Sequence, residues 1–104
     1  MGTVRVSGRA KADLLNIGRY TLQTWGEGQA ARYLKSMEEC ITSLARNPGL
    51  GRPCDWIRPG LHRFEQERHV IFYRREKRGI LVLRILHRSM LPDKHPFMDD
   101  NPVA

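Results

Sequence analysis

Apolar positions recur along this chain with two different periods, and the change of period divides it into elements. Thr3 to Arg5 alternates briefly and predicts a short first strand. Ser7 stands where an N-cap belongs, its hydroxyl available to an orphan backbone N–H of a first helical turn. From there Ala10, Leu14, Ile17, Thr21 and Trp25 recur at spacings of three or four, the single face of an amphipathic helix. Gly26, with Gly28 following, ends it, because glycine tolerates the left-handed conformation of a C-cap. Ala30, Tyr33, Leu34, Met37, Ile41 and Leu44, with Cys40 beside them, form the stripe of a second helix that Asn47-Pro48-Gly49 stops. With so short a link the two helices run antiparallel and pack on each other, with Trp25 and Tyr33 expected between them.

Residues 48–60 hold three prolines and three glycines and predict a loop. Leu61 to Gln66, Arg68 to Arg75 and Ile80 to His87 are rich in Val, Ile, Phe and Tyr and predict three strands. Gly79 closes the turn after Glu76-Lys77-Arg78, so the last two strands form an antiparallel hairpin. The fold class expected is α+β in the order β-α-α-β-β-β: an antiparallel helical hairpin on a small, mainly antiparallel sheet. One domain spans residues 1–91, and the tail over 92–104 is expected to be mobile.

Simple alternation puts Leu81, Leu83 and Ile85 on one side of the last strand and Ile80, Val82 and Leu86 on the other. Both sides are apolar, the pattern of a central strand covered twice. One helical hairpin covers one face of a small sheet. The other face then takes the tail, through Met90, Leu91 or Phe97, or a second polypeptide lying across Ile80, Val82 and Leu86.

Composition adds exclusions and one positive clue. The longest apolar run, Ile80 to Leu83, falls far short of the ~20 residues of a membrane span, and Met1 to Arg5 contains no apolar leader. The chain is expected to be cytoplasmic and off the membrane. Cys40 and Cys54 make neither a disulfide framework nor paired zinc ligands, and His62, His69, His87 and His95 are scattered, so no metal or cofactor is expected. Lys and Arg total 18 against 11 acidic residues, a net charge of +7, and 14 of the cations are Arg. Residues 1–51 carry seven basic and four acidic side chains, and residues 52–94 carry eleven and five. A guanidinium forks onto carboxylate or phosphate bidentately, so this excess fits an acidic protein or a nucleic acid. The exposed face of the second helix, with Glu38 and Glu39 beside Lys35, is too mixed for a recognition helix, so sequence-specific nucleic-acid binding is not expected.

These segments, in this order, resemble the RelE/ParE toxin superfamily and in detail its ParE branch. Ala12-Asp13-Leu14, Ile17, Tyr20 and Trp25-Gly26 are similar to the ParE opening helix, and Ala30, Tyr33 and Leu44 with Pro48 and Gly51 to the second. Gly60-Leu61-His62-Arg63, His69-Val70-Ile71-Phe72-Tyr73 and Ile85-Leu86-His87-Arg88-Ser89-Met90 resemble the strands that follow, so the likeness covers about residues 4–91. It implies a toxin of a plasmid-stabilisation module that inhibits DNA gyrase by binding, without catalytic residues of its own. It also implies a hetero-oligomer with a small ParD-type antitoxin, whose acidic tail would meet the Arg-rich surface. Arg63, Tyr73, Arg84, His87 and Arg88 are the candidates for contact with target or antitoxin, and Ile80, Val82 and Leu86 for the apolar face an antitoxin would cover.

RelE-type relatives on the same fold cut messenger RNA in the ribosome, which is the competing expectation. Such cleavage needs a base for the 2′-hydroxyl, cations for the phosphorane and an acid for the leaving oxygen. Arg63, Arg84, His87 and Arg88 are the residues that could supply them, with Arg63 and Arg84 expected on neighbouring strands. The tail Leu91-Pro92-Asp93-Lys94 and the stretch Cys54-Asp55-Trp56-Ile57 both depart from the nuclease pattern.

Overall fold

The computed structural model describes residues 2–89. Strand β1 (Thr3–Val6) leads into helices α1 (Gly8–Trp25) and α2 (Glu27–Arg46), followed by a single 3-10 turn at Pro48–Leu50. Strands β2 (Arg52–Pro53), β3 (Leu61–Gln66), β4 (His69–Glu76) and β5 (Gly79–His87) complete a five-stranded sheet in the order β1-β5-β4-β3-β2. β1 pairs with β5 in parallel and every other pair is antiparallel. The two helices pack on one face, the expected α+β arrangement.

Local chemistry accounts for the boundaries. Ala10 donates its backbone N–H to Ser7 Oγ at 3.0 Å, and the same hydroxyl donates to the Leu83 carbonyl at 2.9 Å, so one side chain starts α1 and ties it to β5. Gly26 sits at φ 89, between the two helices, where a side chain would be strained. At Gly79 any side chain would collide with the backbone of Thr3, and its absence allows the close parallel pairing of β1. β2 was not expected: two residues, one of them proline, carry no periodicity, and only their pairing with His62 and Arg63 makes them a strand.

The core has two layers. Between helices and sheet lie Ala10, Ile17, Tyr33, Met37, Ile41 and Leu44 with Ile71, Tyr73, Ile80, Val82 and Ile85. On the other face Cys54, Leu61, Val70, Phe72, Leu81, Leu83 and Leu86 cluster, with Ile57 packed against them.

This division corrects the expected faces of β5. The register slips between Phe72, which faces Arg84, and Tyr73, which faces Val82, so Leu83 is an extra residue on β5. Such a bulge shifts the alternation by one. Ile85 therefore joins Ile80 and Val82 under the helices, and Leu86 joins Leu81 and Leu83 on the far side. Ile80, Val82 and Leu86 do not form one face, and none is open to a partner, at 0, 0 and 1% exposure. The mobile tail expected over 92–104, and the cover expected from Met90, Leu91 or Phe97, lie outside the described residues.

Candidate functional site

The sequence candidates fall in three environments. Tyr73, a candidate for contact with a partner, is fully buried: its hydroxyl donates to the Pro48 carbonyl at 2.6 Å and accepts from Gly51 N–H at 3.0 Å. Burial pushes its phenol above the usual range. It anchors the loop after α2 to β4 and offers nothing to a partner. Arg63 and Arg84 are not on neighbouring strands. Arg63 on β3 and Arg84 on β5 stand opposite Phe72 from its two sides, with β4 between them. Arg84 donates through Nε at 2.9 Å and Nη2 at 3.1 Å to the Asp13 carboxylate on α1. Arg63 reaches Glu65 at 3.2 Å, lies 5.8 Å from the Phe72 ring, and buries an Nε without a hydrogen-bond partner among the described residues. Two of the four residues named for RNA cleavage, Arg63 and Arg84, are thus separated by a strand.

His87 and Arg88 are exposed at the end of β5 and belong to a larger constellation. The β3–β4 turn, Glu67-Arg68, lies beside them: Arg88 N–H donates to the Arg68 carbonyl at 2.8 Å. His69, the first residue of β4, shares a 2.6 Å hydrogen bond between its Nδ1 and the Tyr33 hydroxyl. Its ring meets His87 edge-on at 5.4 Å. Burial, with the neighbouring His87 and Arg68 adding to it, lowers the His69 imidazole to about 4, against an opposing pull from Asp13. His69 is therefore neutral near pH 7. Burial likewise raises Tyr33. Trp25 does not fill the helix interface as expected. It is 51% exposed, with the Arg68 guanidinium 4.9 Å from its ring, and Tyr20 is 59% exposed on the same helix. Two adjoining clefts, about 440 and 60 Å³, share Tyr20, His69 and His87.

A second concavity lies on the helical side. Val4 and Val6 of β1, Leu14 and Leu15 of α1, and Leu34, Met37 and Ile41 of α2 line an apolar groove of about 970 Å³. Lys11, Lys35 and Glu38 stand on its margin. Leu15 is 64% exposed, and β1, an edge strand, forms one wall. Periodicity hid this groove, because Leu15 lies outside the stripe of α1. The one signal was a leucine adjoining Leu14 on a helix that needs only one of them inside. Among the described residues no three His, Cys, Asp or Glu side chains gather as metal ligands, and no helix is long and apolar enough to cross a membrane.

Comparison with known proteins agrees with this geometry. Residues 4–92 match the family model described as the ParE toxin of type II toxin–antitoxin systems, parDE. The chain is 41% identical over 95 residues to Toxin ParE1 of Caulobacter vibrioides, covering 91% of this chain and 98% of that one. It is 38% identical over 91 residues to Toxin ParE1 of Mycobacterium tuberculosis, covering 86 and 93%. A solved structure described as the chromosomal ParDE TA system from P. aeruginosa superposes with a TM-score of 0.71 at 21% identity, over 84% of this chain and 96% of that one, a likeness of fold. The chain belongs to the ParE toxin family.

Proposed function

We propose that this ParE-family chain inhibits DNA gyrase by binding it, and that a ParD-type antitoxin holds it inactive by seating an apolar segment in the groove between β1, α1 and α2. The observation that carries the antitoxin site is the groove itself: seven aliphatic and Met side chains lining one concavity on a chain of net charge +7. Burying such surface yields about 25 cal/mol per Å², and the lysines at its margin suit an acidic segment. The exposed edge of β1 offers backbone groups to an extended stretch of the same partner. The P. aeruginosa ParDE system supports a toxin–antitoxin hetero-oligomer. Arg63, His87 and Arg88 remain the proposed contacts with the target. Gyrase as target implies a cytoplasmic site of action and needs no catalytic group or cofactor on this chain.

The groove is tested at Leu15, whose exposure makes it replaceable without unfolding. Leu15→Glu is expected to keep growth arrest on induction and to lower affinity for the antitoxin at least tenfold, as measured by calorimetric titration. Unchanged affinity would place the antitoxin elsewhere.

A further inference from the structure

The two concavities differ in kind, and the difference points to different ligands. The groove by α2 is aliphatic, whereas the cleft at the end of β5 combines exposed aromatic rings with hydrogen-bonding groups. Tyr20 and Trp25 present much of their rings to solvent. The Arg68 guanidinium lies against Trp25, and Asn16, Gln29 and His87 supply polar edges on the walls. We propose that this cleft binds single-stranded nucleic acid, taking an unpaired base against Tyr20 and Trp25 and the adjacent phosphate against Arg68 and Arg88.

Several observations favour a nucleic acid over a peptide. Flat rings beside a cationic surface are how single strands are held without reading their sequence, since every base has a π-face. The wider part of the cleft, about 440 Å³ with Tyr20 on its wall, lies within the usual size of a small-ligand site, and Trp25 and Arg68 line the narrow part that adjoins it. Its acidic groups are few: Asp13 is held by Arg84 and by the Ile85 N–H, and Glu67 stands at the rim, its carbonyl 3.5 Å from Arg88 Nη1. Tyr33, His69 and His87, joined by a hydrogen bond and an edge-on ring contact, line the same cleft as Tyr20 and Trp25. The inference does not rest on gyrase being the target.

The test is fluorescence anisotropy of labelled ten-residue oligo-dT and oligo-U titrated with the full chain at 50 and 300 mM salt. Binding of either at micromolar concentration is expected, weakening about tenfold between the two salts if two phosphates are contacted. Trp25→Ala and Tyr20→Ala should each weaken binding at least fivefold with an unchanged thermal midpoint, and Trp25→Phe should restore most of it. Arg46→Ala, at the far end of α2, should have little effect. No binding at 50 mM salt would overturn the proposal, as would equal losses in Arg46→Ala and Trp25→Ala, which would mean charge alone. Trp25→Ala losing antitoxin affinity in place of oligonucleotide binding would make the cleft a protein contact and also overturn it.

Discussion

Asp13 does at one position what its place in the helix pattern gave no reason to expect. β1 ends at Val6, and beyond it the edge of β5 would present an unpaired N–H at Ile85. The Asp13 carboxylate accepts that N–H at 2.9 Å while also holding Arg84. Both side chains of this ion pair are nearly buried, at 13 and 12% exposure. Asp13→Ala would remove the carboxylate that the Arg84 guanidinium and the Ile85 N–H share, and is expected to cost about 2–3 kcal/mol in urea unfolding. A loss below 0.5 kcal/mol would show that water replaces the carboxylate. His69 makes the second prediction at this scale. Its native imidazole titrates near 4 and its unfolded one near 6.5. Above pH 6.5 neither state is protonated and the residue adds no pH dependence. Between pH 6.5 and about 4 the unfolded chain gains a proton that the fold refuses, so stability falls with pH, by at most about 3 kcal/mol. His69→Gln should flatten this part of the stability curve relative to the native chain; an identical slope would remove His69 as its cause. Neither role was legible in the sequence. Asp13 lies 71 residues from Arg84, and His69 looked like one scattered histidine among four.

The elements themselves were more legible than the contacts between them. Ser7 and Gly26 cap the helices where their chemistry placed them, because caps are local hydrogen bonds and local dihedral angles. Strands β3, β4 and β5 lie within a residue or so of the expected positions, since half-buried alternation survives in the sequence. The bulge at Leu83 did not, because Ile80 to Leu83 and Ile85-Leu86 are all apolar, so a slip by one leaves apolar residues on both faces and is invisible to periodicity. That slip alone misassigned Ile85 and Leu86 and with them the predicted partner face. The β3–β4 hairpin carries a testable irregularity. Glu67 adopts φ 51 in its two-residue turn, a region that costs a side chain-bearing residue stability and suits glycine. Glu67→Gly is expected to raise stability by up to about 1 kcal/mol in thermal unfolding. A lowered midpoint would show that the Glu67 side chain contributes more than its backbone strain removes.

At the scale of the whole molecule, two apolar layers bury both sides of β5 within one chain, and the groove proposed for the antitoxin lies between the helices and β1 instead. The sequence argument for a partner was sound in requiring cover for both faces of the strand. It went wrong in naming only the tail or a second polypeptide as that cover, because the stretch from Cys54 to Ile57, which packs there, cannot be placed by periodicity. The Arg excess, legible from composition, is partly consumed internally by Asp13, Glu65 and Glu76, and the remainder gives the fold its net charge. What remains outward is an aliphatic groove on one side and an aromatic, cationic cleft at the strand end. A toxin that acts by binding needs such surfaces for its antitoxin and its target, and no reacting group. The most direct measurement is a supercoiling assay in which the purified chain is added to DNA gyrase, ATP and relaxed plasmid. The account predicts loss of supercoiling with accumulation of cleaved plasmid. Full supercoiling at saturating protein, from a preparation that arrests growth in cells, would contradict it.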